Sequence, residues 1–443
     1  MKKIIKYGIV FLILIFIFNF LLFIGSLFPS KIIAQNVKES SETLSDEGDV
    51  YQFFEYLDIV NNNFTDALMI NEAYSIDNTH PIHSYMTVRK NYNKEMTKNS
   101  IQDISEELTS INFDDYDPVG ELEEFLNGDI DTSVNYARYW HGYLPILRTL
   151  LIFFNITEIR RILLIIFIIL FIYLIKLIKE KIGTITAIIF AIALIMQGYF
   201  FVSYSLESTP IFIVMMTSSI ILLKRIDKLK SLYLYIFIIA CITNFVDYLT
   251  VPLITLAIPL LLYILYKQKN NKEIDYKEYI LIIIKSSIIW LIGYSITWLS
   301  KWIIYDVIYK EGLIKSAIHQ VIYRTKNSNS NTDVTIQDVL VTLIEKNLRY
   351  AIEVLNVEIL VIFVMIKRYK IKLKPASEYI KENIPIIIIS AMPLVWYIVL
   401  TNHTVLHLRF TYRHMLIFLI GILICMKNIF IIEKKEKIKK SQK

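Results

Sequence analysis

Cysteine is almost absent from this sequence: the 443 residues include two, Cys241 and Cys425. Both lie in apolar runs, and neither lies in the long polar stretch that follows the first apolar segment. Disulfide frameworks need several paired cysteines, and cysteine-based metal sites need them at short spacing. The sequence therefore excludes a disulfide-stapled secreted domain and a cysteine-based metal centre.

An internal repeat of fixed period is also missing, as is a heptad pattern, and the low-complexity sequence is confined to the Asn/Ser run at 327–331. Transporter folds commonly show internal repeats and charged or broken helices near the middle of the membrane. The clear cation within an apolar run is Lys285, which is close enough to the inner side for its ammonium group to reach the surface. A transporter of lipid-linked glycans is an alternative without a specific signal of its own.

Apolar residues are abundant: 55% of the chain is hydrophobic, and the mean hydropathy is +0.49. Several runs reach the roughly 20 residues that an α-helix needs to cross a bilayer. We therefore predict an all-α integral membrane protein with about ten transmembrane helices. The net charge of +6 does not indicate nucleic acid, because the basic residues form short clusters between apolar runs. The richness in Ile, Lys and Asn is typical of a bacterial genome of high AT content.

The apolar runs divide the chain into six predicted parts. A first transmembrane helix, which we expect to stay uncleaved, is followed by a large and mainly helical extracytoplasmic insert, then by helices two to seven, a second extracytoplasmic insert, helices eight to ten and a basic cytoplasmic tail. Their predicted ranges are 1–28, 29–158, 159–299, 300–347, 348–432 and 433–443. The apolar run around Asn244–Pro252 is too long for one span, so we divide it there into helices five and six.

Acidic residues concentrate in the first insert. Positions 31–131 hold 22 acidic residues and six basic ones, which leaves 19 acidic and 41 basic residues for the rest of the chain. With ten spans, the basic clusters that follow helices fall on one side, as the positive-inside rule requires. The prediction is a multi-pass protein of the bacterial plasma membrane with both termini cytoplasmic. The pair Arg160-Arg161 is an exception at the outer end of helix two, where some other role is expected to hold it.

Three acidic residues border apolar sequence on the predicted outer side, and we take them as candidate catalytic groups: Asp66, Glu207 and Asp247. Each could instead cap a helix or form a polar turn. Asp46, Glu47 and Asp49 are weaker candidates, because their surroundings are wholly polar. Two or three carboxylates converging on one cleft would suit general base catalysis.

Cations and aromatic residues gather on the same predicted side. Arginine forks and histidines suit a phosphate group at the membrane surface, although Trp and Tyr are also common at membrane interfaces in general. The candidate substrate- or phosphate-binding residues are Arg138, Tyr139, Trp140, His141, Lys301, His403, His407, Arg409 and Arg413. The i, i+4 pair His403 and His407 would also permit a divalent cation, but two histidines alone do not define a metal site.

With these residues placed, the chain resembles the GT-C class of multipass glycosyltransferases. Members of that class carry an essential acid in a large outer loop after the first helix, and Thr65-Asp66-Ala-Leu-Met69 looks like its counterpart. Many have a second acid in a Ser-x-x-Leu-Asp-x-Pro-Leu element, which Ser203-Tyr-Ser-Leu-Glu207-Ser-Thr-Pro-Ile211 resembles with Glu in place of Asp. The chain also looks like a group of bacterial membrane proteins associated with cell-surface polysaccharides. They share the run Arg138-Tyr-Trp-His-Gly142, the turn Asn244-Phe-Val-Asp-Tyr-Leu-Thr-Val-Pro252 and the ending from His403 to Arg413.

The resemblance implies an enzyme that moves a sugar from a polyprenyl-phosphate donor to a glycan or lipid-linked acceptor on the outer face. In that reading Asp66 is the general base, Glu207 and Asp247 support it, and the cations hold the phosphate. A surface polysaccharide polymerase or ligase of another multipass fold shares the outer polar loops and remains an alternative, as does a non-enzymatic assembly scaffold.

Overall fold

A computed structural model describes residues 2–48, 50–54, 59–91, 117–130, 132–270, 275–325, 335–365 and 369–434 of the chain. These residues are mainly helical, as predicted. The helices, in chain order, are α1 (Lys2–Ser26), α2 (Ala34–Glu47), α3 (Asn63–Tyr74), α4 (Pro81–Thr87), α5 (Pro118–Asn127), α6 (Leu144–Leu151), α7 (Ile156–Lys181), α8 (Thr184–Met196), α9 (Thr209–Arg225), α10 (Leu232–Val246), α11 (Ile254–Asn270), α12 (Tyr276–Tyr309), α13 (Leu313–Thr325), α14 (Ile336–Met365), α15 (Ala376–Val399), α16 (Thr401–Leu406), α17 (Leu408–Thr411) and α18 (Met415–Lys427).

Three pairs of short antiparallel strands accompany the helices. The first pair is β1 (Val50–Phe54) with β2 (Ile59–Asn62), and the second is β3 (Arg89–Asn91) with β4 (Ser133–Asn135). In the third, β5 (Tyr369–Leu373) pairs with β6 (Phe430–Lys434), so that Tyr369 faces Lys434 across the ladder. This third pair joins the basic segment before α15 to the segment after α18.

Six helical segments of the described part are long and apolar enough to cross a membrane, which supports an α-helical membrane protein. They are Ile4–Ser26, Ile156–Lys181, Thr209–Lys228, Tyr276–Tyr309, Ala376–Val399 and Leu408–Lys427. Two shorter apolar helices, α8 and α10, accompany them. The sequence predicts about ten spans, and length and hydropathy support six of them in the described residues.

The membrane helices differ in how much of their surface other helices cover. The most apolar window of α1 is only 17% buried, whereas that of the Leu408–Lys427 segment is 67% buried. Nearly every residue of α11 between Ile254 and Leu265 is buried, although Pro259 interrupts the helix. Large apolar side chains exposed along α1, such as Ile4 and Phe16, are those expected to face lipid. The bundle therefore has α11 near its centre and α1 at its edge.

The first insert shares its core with the start of α7. Val37 and Leu44 of α2, Ile70 of α3 and Leu147 of α6 pack in one buried cluster with Ile159. A capping box opens α7, since Asn155 accepts from the backbone N–H of Glu158 while Glu158 accepts from that of Asn155. The insert is thus continuous with the membrane bundle rather than a separate domain on a linker.

A buried cation, Arg148, attaches the insert to the end of the first membrane helix. Arg148 of α6 donates from Nε to the carbonyl of Gly25 (2.9 Å) and from Nη2 to that of Phe28 (2.6 Å). The guanidinium group therefore binds carbonyls at the C-terminal end of α1, where the helix dipole favours a cation. Burial lowers the pKa of Arg148 to about 10, so the group stays charged.

Helix α12 extends into the range predicted for the second insert. It continues to Tyr309, ten residues beyond the predicted end of helix seven at Leu299, and α14 begins at Ile336, within the same range. Lys301 therefore lies inside a helix. Two residues of this extension contact the first insert: Lys301 donates to the carbonyl of Met86, and the hydroxyl of Tyr305 accepts from Asn135.

Candidate functional site

The polar residues of the candidate site meet where the first insert covers one end of the helix bundle. Asp66, in the first turn of α3, is fully buried. Its Oδ1 accepts from the backbone N–H of Leu206 (2.8 Å), and its Oδ2 lies 3.3 Å from Nη2 of Arg160. The chain segment before α9 and the start of α7 therefore converge on this one carboxylate.

Arg160 binds three polar residues of the first insert. Its Nη1 donates to both carboxylate oxygens of Glu47 (3.0 and 2.8 Å), and its Nη2 also donates to Oδ1 of Asn63 (2.9 Å). Only 3% of the Arg160 side chain is exposed. Glu47 thus belongs to the cluster as the partner of Arg160, Asp46 is exposed, and Asp49 lies outside the described residues.

Two charges act in opposite directions on Asp66. Burial raises its pKa from 3.8 to about 7, the positive charge of Arg160 opposes that rise, and the negative charge of Glu207 adds to it. Glu207 is itself buried and directly follows Leu206, whose N–H binds Asp66. The structure therefore brings together Asp66 and Glu207, two of the three acids proposed from the sequence.

Arg413 lies beside the same turn. It is 3% exposed, and its Nη1 is 3.5 Å from Oγ of Ser208, the residue after Glu207. Its guanidinium group lies 5.0 Å from the centre of the Tyr412 ring. In the part of the chain that the structure describes, Nε of Arg413 has no acceptor and no carboxylate forms an ion pair with this arginine. A buried cation without an anion is costly, so Arg413 is suited to bind an anionic ligand.

The run from Tyr136 to Tyr143 is held against the end of α10. The amide of Gly142 donates to the carbonyl of Phe245 (2.8 Å), and a Cβ at this glycine would lie 2.5 Å from Phe245 atoms. Trp140 is fully buried, and its Nε1 donates to the carbonyl of Thr297 (2.8 Å). Trp140 is therefore a core residue, although the sequence suggested a binding role. His141 has a φ of 55°, a conformation that side chains other than glycine rarely adopt.

Glu72 is a buried acid that the sequence analysis did not select. Its Oε2 accepts hydrogen bonds from the hydroxyls of Tyr143 and Tyr248, and Nδ1 of His141 lies 3.2 Å away. Its Oε1 is buried and has no hydrogen-bond donor among the described residues. Glu72 lies six residues after Asp66 in the same helix, but its flanking residues are no more apolar than those of several other acids of the insert, so the sequence did not distinguish it.

Arg324 of α13 is a second residue that the sequence analysis missed. Its Nη2 donates to the hydroxyl of Tyr139 (3.1 Å), and its Nη1 binds Nδ1 of His403. Nε2 of His403 is 2.8 Å from the carbonyl of Leu249, which can only accept, so Nε2 carries the proton and Nδ1 accepts from Arg324. Burial, followed by the charge of Arg324, holds the pKa of His403 well below its usual range.

The remaining predicted phosphate-binding residues have different surroundings, and none of the described residues forms a metal site. Burial, with smaller effects from Arg324 and Arg409, lowers the pKa of His407 to about 3, and Arg409 itself is exposed. The guanidinium group of Arg138 lies 5.6 Å from the centre of the Tyr136 ring. Among the described residues, no group of three or more His, Cys, Asp or Glu side chains could hold a metal ion. Both ring nitrogens of His403 are already used in hydrogen bonds.

Two of the residues selected from the sequence have contacts that a structural role explains. Asp247 accepts from the backbone and hydroxyl of Thr250 (both 2.9 Å) and from the hydroxyl of Tyr294 (2.8 Å), as a residue that stabilises a turn would. Lys301 is fully buried, and its Nζ donates to the carbonyl of Met86 (2.9 Å) at the end of α4. Lys301 therefore anchors the insert to α12, away from the contacts of Asp66.

Comparisons with protein-family models, with curated proteins and with solved structures find no match to this chain.

Proposed function

We propose that this protein is a membrane glycosyltransferase that transfers a sugar from a polyprenyl-phosphate donor to a glycan or lipid-linked acceptor at the outer face of a bacterial plasma membrane. The observation that carries the proposal is the position of Arg413, a buried arginine without a carboxylate partner in the described residues, beside the turn that joins Asp66 to Glu207. An anion site and two carboxylates in one place suit a reaction whose leaving group is a phosphate.

Asp66 acts on the acceptor hydroxyl, and Arg413 acts on the leaving phosphate. Asp66 has a pKa of about 7, which suits a general base at neutral pH, and its two hydrogen-bonded oxygens keep further lone pairs for a substrate proton. Asp66 removes the proton of the acceptor hydroxyl, whose oxygen forms a bond to the anomeric carbon. The bond from that carbon to the phosphate oxygen breaks, and the polyprenyl phosphate leaves with the electron pair.

Arg413 stabilises the charge that develops on the leaving phosphate. A guanidinium group can present two parallel N–H donors to phosphate oxygens, and such charge-assisted bonds are stronger than neutral ones. Burial strengthens the interaction, because few other dipoles screen it. The lipid-facing surfaces of the membrane helices support a donor whose hydrocarbon tail stays in the bilayer while its phosphate reaches this end of the bundle.

The proposal is tested with the full chain in lipid nanodiscs and synthetic farnesyl-phosphate hexose and N-acetylhexosamine donors, by measuring release of farnesyl phosphate. We expect Asp66→Asn and Arg413→Met each to lower the rate by roughly 10²-fold or more, as for loss of a general base or of a charge-stabilising donor. Asp46→Asn removes an exposed acid of the same insert and should leave the rate unchanged. Wild-type activity in folded Asp66→Asn protein, or no cleavage of either donor by the wild type, would contradict the proposal.

A further inference from the structure

Glu72 has an unusual distribution of hydrogen bonds. One oxygen, Oε2, accepts from two tyrosine hydroxyls and lies near His141, while Oε1 has no donor among the described residues although it is buried. A carboxylate with a purely structural role normally has both oxygens paired, because a buried polar atom without a partner is costly. The arrangement therefore holds the carboxylate by one oxygen and leaves the other able to accept a hydrogen bond from a bound molecule.

The surrounding groups keep Glu72 in this orientation. Burial, followed by the negative charge of Glu72, holds the pKa of Tyr143 and of Tyr248 well above the usual range, so both hydroxyls remain protonated donors. Nε2 of His141 is 2.8 Å from the carbonyl of Tyr136, so that nitrogen carries a proton and the ring is fixed in place. The positive φ of His141 adds backbone strain, which is common where a side chain must point in one direction.

Aromatic rings lie next to this carboxylate. The ring centres of Tyr248 and Tyr139 are 5.3 Å apart, and those of Tyr136 and Tyr139 are 5.6 Å apart. Tyr136 and Tyr248 are half-buried, and the charges of both Glu72 and Arg324 act on Tyr136. The rings thus lie between Glu72, whose Oε1 can still accept a hydrogen bond, and Arg324. Among the described residues, Arg324 donates hydrogen bonds to His403 and Tyr139 only.

Resting on the proposed function, we infer that Glu72 and these tyrosines form the binding subsite for the acceptor glycan. Oε1 of Glu72 accepts a hydrogen bond from a sugar hydroxyl, and a sugar ring packs on Tyr136 and Tyr248. A carbohydrate fits because it combines hydroxyl donors with an apolar ring face, whereas a phosphate is anionic at neutral pH and would be repelled by the carboxylate of Glu72. This subsite is distinct from the anion site at Arg413.

The subsite is tested by saturation-transfer NMR of the full chain in nanodiscs, with N,N′-diacetylchitobiose and maltotriose as probes. Wild-type protein should give a saturable signal with at least one probe. Glu72→Gln puts an N–H₂ donor in place of the acceptor and should weaken binding roughly tenfold or more, the effect of losing a hydrogen bond to a charged group. Glu121→Gln removes another buried acid of the insert, one paired with Lys90, and should bind like the wild type.

A second variant covers the case in which Glu72→Gln fails to fold. Tyr136→Leu removes a ring but keeps the backbone carbonyl that holds His141, and it should also weaken binding roughly tenfold. The inference is overturned if neither probe gives a saturable signal with wild-type protein, or if both variants bind within about twofold of the wild type.

The two proposals fail in different ways. If the probes bind through Glu72 but no lipid-phosphate sugar is cleaved, the glycosyltransferase proposal fails and the carbohydrate subsite stands. If donor cleavage requires Asp66 while Glu72→Gln and Tyr136→Leu transfer sugar with an unchanged KM for the acceptor, only the subsite is wrong.

Discussion

Replacement of Arg160 by methionine tests how the insert is attached to the membrane helices. Methionine keeps most of the apolar length of the side chain but removes the guanidinium group that contacts Glu47, Asn63 and Asp66. The change leaves two carboxylates without their cation, one of them fully buried and the other with 28% of its side chain exposed. Loss of one partner from a buried ion pair typically costs about 3–5 kcal/mol, which is the destabilisation we expect for the contacts of α2 and α3 with α7.

The cost should depend on pH. In wild-type protein the charge of Arg160 opposes the rise in the pKa of Asp66, so that pKa rises further in the variant. In the variant, Asp66 is neutral at low pH because it binds a proton, but it becomes an unpaired buried charge as the pH increases. The destabilisation caused by Arg160→Met should therefore be larger at pH 8 than at pH 6.

Hydrogen exchange followed by mass spectrometry measures this effect in nanodiscs. A loss of about 3–5 kcal/mol corresponds to exchange roughly 10²- to 4 × 10³-fold faster at the amides of α2 and α3, since each 1.4 kcal/mol is a factor of ten. Arg161→Met is the matched control, because Arg161 is the next residue and is exposed. A thiol-reactive dye shows whether the membrane helices remain folded, because the buried Cys241 reacts only when they open, whereas the partly buried Cys425 gives the background signal.

A double variant separates the ion pair from other effects of the substitution. Combined with Asp66→Asn, Arg160→Met should cost less than it does alone, by roughly 0.5–3 kcal/mol, because the fully buried carboxylate is then gone. The reasoning is refuted if Arg160→Met exchanges no faster than Arg161→Met. Strict additivity of the two changes would show that Arg160 and Asp66 do not interact, whatever their distance.

Two further predictions follow from the same region. Gly142→Ala should weaken the packing of the Tyr136–Tyr143 run by about 1–3 kcal/mol or more, because its Cβ would lie 2.5 Å from Phe245. Gly8→Ala is the control, since a Cβ there meets nothing within 4 Å. Equal melting temperatures of the two variants in the thiol-dye assay would contradict the prediction. Burial raises the pKa of Asp66 from 3.8 to about 7, so this residue binds a proton more tightly in the folded than in the unfolded state. The free energy of unfolding should therefore fall as the pH rises between about 4 and 7, and it should level off above about pH 7. The slope approaches 1.4 kcal/mol per pH unit, and calorimetry should find it reduced in Asp66→Asn; an identical pH profile for the two proteins would show that Asp66 is not the group responsible.

Asp66, Glu207 and Arg413 share one property that the sequence shows: each is a charged residue next to apolar sequence. The structure places these three residues around one turn. Lys301 also lies next to apolar sequence, but it binds the carbonyl of Met86, because apolar neighbours along the chain do not determine which distant partner a side chain meets.

The sequence by itself determined the membrane class, because hydropathy and length are properties of consecutive residues. Tertiary structure decided the site. Asp66 and Leu206 are 140 residues apart, and Arg413 and Ser208 are 205 apart, so no local pattern could join them. Glu72 became notable only when folding buried it and paired one of its oxygens but not the other. Burial and hydrogen bonding depend on which distant segments pack together, whereas a helix crosses a membrane on the strength of its own sequence.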